Sequence, residues 1–264
     1  MTQTSQLANR PPVEDDAGKP SGVPGHARWV RISHWIATLS VFVLVFSGFE
    51  ILMVHPRLYW GIAGNDLTPA LLELPISRNY KHRGYDTPKP FFENAAGPVS
   101  ASRTYEIFNE NGWGRSLHFL GAWLLVLPGI LYLLVGLFGG HFRRHIWPKL
   151  RELSPHRVWR DVVDHLRLRI PPAGGGPQYG LLQKISYSIV IFVAAPLMIL
   201  TGLTMSPAVT SAFPILLSLF GGYQSARTIH FFTSAALVLF VIAHVVMVVK
   251  SGFRRQIRAM TLGE

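Results

Sequence analysis

The chain has 264 residues, a formal net charge of +11 and no cysteine. Without a thiol there can be no disulfide, Cys-ligated iron–sulfur cluster, thiolate catalysis or thioether-attached haem. The charge would suit nucleic acid, but Lys and Arg cluster beside long apolar blocks, so a basic membrane protein with no nucleic-acid partner is expected.

Residues 1–27 are polar and rich in Pro and Gly, and lack the apolar core of a secretory signal, so they read as a disordered tail. Four stretches then reach the roughly 20 residues needed to cross about 30 Å of hydrocarbon: residues 30–54, 113–138, 181–205 and 227–249. Beyond the first turn of each span, Glu50 is the one Asp, Glu, Lys or Arg inside them. Residues 55–112 form a long loop between the first two spans, and residues 139–180 a loop between the second and third. Within that second loop, Val158, Trp159, Val162, Val163 and Leu166 recur at helical spacing between basic residues, predicting an amphipathic helix on the membrane surface. Residues 259–264 close the chain as a short tail.

Eight Lys or Arg fall in residues 141–170, four more in residues 250–258, and none in residues 206–226. The basic segments mark the cytoplasmic side, which places both termini in the cytoplasm and the 55–112 loop outside. The expected fold is an all-α integral membrane protein, a four-helix bundle in a bacterial inner membrane.

The two halves match. Arg31-Ile32-Ser33-His34 and Ser47-Gly48-Phe49 correspond to Lys184-Ile185-Ser186-Tyr187 and Thr201-Gly202-Leu203. Arg115-Ser116-Leu117-His118-Phe119 corresponds to Arg227-Thr228-Ile229-His230-Phe231, and Gly140-His141-Phe142-Arg143-Arg144 to Ser251-Gly252-Phe253-Arg254-Arg255. Spans one and three run the same way, so the repeat is parallel, with its axis along the membrane normal.

A lone histidine inside a membrane span can serve only to bond a neighbouring helix, but four at matched depths point elsewhere. His34 and His244 lie near the inner ends of spans one and four, and His118 and His230 near the outer ends of spans two and four. His230 and His244 are 14 residues apart, close to four turns, so they share a face about 21 Å apart along the axis. Two levels of two histidines suit two bis-His haems b, with the four imidazoles as iron ligands. Zinc or copper fits less well, because each level offers two nitrogens and no carboxylate.

Arg31, Arg115 and Arg227 each stand three residues before a histidine, on the same face and one turn nearer the surface, where propionates would emerge. Under the repeat, His118 and His230 are equivalent, whereas His34 and His244 correspond to Tyr187 and Tyr132. The inner haem is therefore expected off the pseudo-twofold axis. A vacated pocket lined by Tyr132 and Tyr187 is expected opposite it, as a candidate quinone site. The other histidines, His26, His55, His82, His141, His145, His156 and His165, fall in loops.

Over about residues 28–258 the chain resembles the prokaryotic cytochrome b561 superfamily, which includes membrane subunits of formate dehydrogenases and nickel–iron hydrogenases. The closest likeness is to the thiosulfate reductase cytochrome b group. It is carried by Arg31-Ile32-Ser33-His34-Trp35, His55-Pro56-Arg57-Leu58-Tyr59-Trp60-Gly61 and Gly140-His141-Phe142-Arg143-Arg144. The resemblance implies the same ligand pairs, His34 with His244 and His118 with His230. It further implies exchange of electrons with membrane quinone and anchoring of a periplasmic oxidoreductase, often one carrying a molybdenum cofactor. The sequence has no phosphate loop or nucleophile–base pair of its own, which suits an electron-transfer subunit. The competing expectations are a transporter or a proton- or metal-conducting module that uses the histidines, and a free-standing quinol oxidase serving a small acceptor.

Overall fold

In the computed structural model, residues 26–65, 68–76, 111–167 and 180–263 are described. The tail before His26 and much of the 55–112 loop, His82 included, lie outside them. Four long helices dominate: α1 (Arg28–Val54), α2 (Asn111–Phe138), α4 (Leu181–Thr204) and α7 (Tyr223–Lys250). Each is long and apolar enough to cross a membrane. Between them lie the surface helix α3 (Pro155–Leu166) and two short helices, α5 (Pro207–Ala212) and α6 (Ile215–Phe220), and α8 (Phe253–Thr261) ends the chain. The amphipathic helix expected around Val158 to Leu166 is thus present, and the connection after α4 contains two short helices.

Burial is inverted relative to a water-soluble bundle. Large apolar side chains such as Leu39, Phe42, Leu127 and Leu239 face outward, where lipid would cover them. The buried positions in the long helices include Ser40, Ser47, Thr201, Thr204, Ser225 and Thr228. Ser40, Ser47, Thr201 and Thr204 each donate to the carbonyl four residues earlier, which satisfies a hydroxyl without water. Small residues let the helices approach: a Cβ on Gly121 would stand 3.0 Å from Val43, and one on Gly114 3.3 Å from Glu50. α1 thereby packs along α2, and α4 along α7.

The start of α7 is held by the segment after α1. Arg57–Leu58 (β1) pairs antiparallel with Leu72–Glu73 (β2). The Gly61 carbonyl accepts from the backbone amides of Gln224 and Ser225, and Thr228 donates to the Tyr59 carbonyl at 2.6 Å. Free N–H groups of a helix's first turn are satisfied in this way. Gly222, at φ +114°, lies so close to Gly61 that a Cβ would come within 2.5 Å of its carbonyl oxygen. The His55-to-Gly61 motif therefore clasps the helix that bears His230 and His244.

At the opposite end α3 is tied to α4. Asp161 accepts from the Leu182 amide at 2.8 Å, and Lys184 pairs with Glu152 at 3.2 Å. α8 folds back onto α1, where Arg31 donates to the Thr261 carbonyl at 2.8 Å and Trp35 to that of Met260 at 3.0 Å.

Candidate haem sites

The four histidines form two pairs, each joining one half of the bundle to the other. The rings of His118 on α2 and His230 on α7 have centres 6.3 Å apart, and those of His34 on α1 and His244 on α7 also lie 6.3 Å apart. A metal–imidazole bond is about 2 Å and the ring centre lies about 1 Å beyond the nitrogen, so two axial rings across one iron have centres roughly 6 Å apart. Both pairs fit that spacing. Among the described residues no cluster of three or more His, Cys, Asp or Glu is placed to hold a metal ion, so a macrocycle supplying the equatorial nitrogens suits these pairs better than a bare metal.

The His118/His230 layer is symmetric in detail. Ser47 lies 3.0 Å from His118 Nδ1, and Thr201 lies 2.9 Å from His230 Nδ1. A Cβ on Gly48 would meet His118 Cε1 at 3.5 Å, and one on Gly202 would meet His230 Cε1 at the same distance. The Ser-Gly and Thr-Gly pairs at matching places in the repeat therefore have a common purpose. The hydroxyl supports the imidazole, and the missing side chain leaves room beside it.

The His34/His244 layer shares the spacing and little else. Its histidines meet aromatic rings instead: Trp35 lies edge-on to His34, while Phe240 stacks on His244 and Tyr187 stands edge-on to it at 6.4 Å. His34 Nδ1 is buried and has no hydrogen-bond partner among the described residues.

The three arginines divide. Arg115 borders a cavity of about 290 Å³ with Gly112, Ser116 and Phe119. Arg227 borders another of about 280 Å³ with His55, Arg57, Tyr59 and Tyr223, and it donates to the His55 carbonyl and to Gln224. Both openings sit at the His118/His230 end. Burial, and then the charges of Arg227 and Arg115, push the His55 pKa below its ordinary value. Arg31, at the other end, donates Nη1 to α8 while its Nε is buried without a partner among the described residues. An unpartnered buried donor one turn from His34 fits a carboxylate of a bound group.

Tyr132 and Tyr187 have different ring neighbours, Trp29 at 5.2 Å for the first and His244 at 6.4 Å for the second. Phe142, 1% exposed, inserts between α2 and α4, 5.5 Å from Tyr132 and 5.2 Å from Phe192. Gly136 makes room for it, since a Cβ there would lie 2.4 Å from Phe142 Cζ. On the α2 side Phe142 packs against Tyr132, while Tyr187 stands beside His244. Sequence reasoning missed Phe142 because an aromatic after a helix end looks interfacial. The unequal use of a Gly-x-Phe and a Gly-Phe sequence after α2 and α7 was the available signal.

His141 and His26 are less solvated than their loop positions suggested. His141 packs edge-on to Trp29 at 5.1 Å and lies 5.0 Å from His145. Burial, then the charges of His145, His26 and Arg144, lower its pKa.

A family model described as prokaryotic cytochrome b561 matches residues 25–263. The chain is also 30% identical over 225 residues to the putative protein-methionine-sulfoxide reductase subunit YedZ1 of Azospira oryzae, covering 84% of this chain and 89% of that one. No solved structure matches.

Proposed function

The chain belongs to the prokaryotic cytochrome b561 family, a haem-binding membrane electron-transfer protein, and from that premise we propose that it carries two haems b and links membrane quinone to a periplasmic oxidoreductase subunit. The observation that carries the reading is the recurrence of one 6.3 Å imidazole spacing at two levels. His118 and His230 hold the outer haem, and His34 and His244 the inner one. When bound, each haem supplies a one-electron carrier.

The chain's own residues supply position and charge. α7 contributes a ligand to both sites and is fixed at its start by the Gly61 carbonyl, so the distance between the sites is set by one rigid helix. Arg115 and Arg227 are placed to receive outer propionates, and Arg31 Nε an inner one. Quinone is proposed to bind beside the inner layer against Tyr187, with Tyr132 serving as packing around Phe142. The relative's name supports a partner that reduces sulfoxide. Such a reaction takes two electrons and two protons per sulfoxide and yields a thioether and water, which suits a molybdenum-cofactor subunit fed from quinol. The bacterial inner membrane, with termini in the cytoplasm, is the proposed location, resting on the Lys and Arg distribution.

Haem extraction and protein quantitation on the detergent-purified chain test this directly. Two haems b per chain are expected, falling to one in His118→Ala and to one in His34→Ala. A transporter would show no b-type absorbance, and a free-standing quinol oxidase would purify from native membranes without a large partner subunit.

A further inference from the structure

The geometry points to Ser47 and Thr201 as matched positioning residues that fix the tautomer of the outer ligands and set the potential of that site apart from the inner one. The idea builds on the dihaem reading and adds residues outside the ligand set.

Each hydroxyl has a single proton, and its direction is settled locally. Ser47 Oγ donates to the Val43 carbonyl at 2.6 Å, and Thr201 Oγ1 to that of Leu197 at 2.7 Å. Facing the imidazole, each oxygen can then only accept. The contacts at 3.0 and 2.9 Å are therefore Nδ1–H donating to Oγ. Both hydroxyl oxygens demand a proton on Nδ1, so Nε2 carries the lone pair in both His118 and His230. Both rings are thus pre-set to bind iron through the nitrogen that faces across the gap.

A hydrogen bond from the distal N–H pushes electron density into the imidazole and makes it a stronger donor. Stronger donation favours ferric iron over ferrous, which lowers the potential of the outer site. His34 Nδ1 has no such acceptor among the described residues. Two sites with equal ring spacing are therefore tuned differently by what stands behind the rings.

The test is a redox titration of the purified holoprotein, following the haem absorbance, on wild type, Ser47→Ala, Thr201→Ala and the double variant. One of two waves is expected to move to higher potential in each single variant, and furthest in the double, while the other stays put. Ser47→Thr and Thr201→Ser keep the hydroxyl and should titrate like wild type. No movement with both haems retained, or equal movement of both waves, overturns the assignment. If an alanine variant loses one haem, retention in the Ser/Thr exchange supports the role, and loss in both overturns it. Fewer than two haems in wild type would instead overturn the dihaem reading on which the idea builds.

Discussion

The two histidine layers share a ring spacing and differ in almost everything around it. The His118/His230 layer keeps the repeat: Ser47 matches Thr201, Gly48 matches Gly202, and the hydroxyl–Nδ1 and Cβ–Cε1 distances agree to within 0.1 Å. The His34/His244 layer breaks it, with tyrosines at the corresponding positions and Phe142 driven into the bundle on the α2 side. A pseudo-twofold axis permits one central site, or two lateral ones. Here one histidine pair follows the repeat and the other departs from it, with Phe142 buried beside Tyr132. Of the two layers, only the one at His118 and His230 keeps the repeat in its hydrogen bonds.

The largest expected effect breaks the symmetric layer. Gly48→Leu and Gly202→Leu should each remove one haem of two, because a branch beyond Cβ grows across the face of His118 or His230, 3.5 Å away. The two variants should behave alike, and absorbance per chain should fall by about half. Gly48→Ala adds only an ordinary contact and should keep both haems. If Gly48→Leu and Gly202→Leu gave unequal haem loss, the equivalence of the halves would be wrong.

The outer layer was legible in the sequence because its parts repeat literally. Ser/Thr-Gly closes spans one and three, Arg-x-x-His-Phe opens spans two and four, and side chains at equal depth on facing helices meet. The inner layer was half legible. Its histidines could be paired by depth, but the filling of the opposite place depended on Phe142, whose direction is set by the chain's turn after α2. A further sign went unread. Ser47 follows His34 by 13 residues, whereas Thr201 follows Tyr187 by 14. The extra residue is taken up by a π-helical turn at Val190–Ala194 in α4, as single insertions in helices commonly are. Without that turn Tyr187 would rotate by about 100° around the helix. With it, Tyr187 stays on the face that meets His244.

The next effect sharpens the contrast between the halves. Phe142 and Phe253 occupy matching places after α2 and α7, yet one is 1% exposed and the other 52%. Phe142→Ala should destabilise the protein by about 3–5 kcal/mol, the usual cost of emptying a buried phenylalanine site. Phe253→Ala should change stability by no more than about 0.5 kcal/mol. Thermal unfolding in detergent, followed by helix signal, reads both. Equal losses would mean that Phe142 does not act as the filler of the α2 side.

A smaller difference is expected between the two tyrosines. Tyr187→Phe removes a hydroxyl beside His244 and should slow quinol oxidation several-fold, with both haems retained. Tyr132→Phe removes one from the Trp29 and Phe142 cluster and should leave the rate within twofold of wild type. Single-turnover reduction of the haems by a quinol analogue separates the two. A rate unaffected by either change would move the proposed quinone site away from Tyr187.

The smallest effect concerns the tether between α3 and α4, which holds the surface helix near the inner layer. At Glu152, burial acts to raise the pKa, but the Lys184 hydrogen bond, the Lys149 amide and both ammonium charges outweigh it and leave the carboxylate below its ordinary value. A group whose pKa is depressed on folding stabilises above its unfolded pKa, and that contribution fades as pH falls through the folded value. The pair is partly exposed, so solvent screening limits it to about 0.2–1 kcal/mol. Hydrogen exchange of the α3 amides should therefore quicken modestly as pH drops below the carboxylate range, once the intrinsic pH dependence of exchange is removed. Glu152→Gln should show the faster exchange already at neutral pH and lose the acid response. Asp161 also holds α3 through the Leu182 amide, so the helix should loosen in that variant without leaving the bundle. Identical protection in wild type and Glu152→Gln at neutral pH would assign the tether to Asp161 alone.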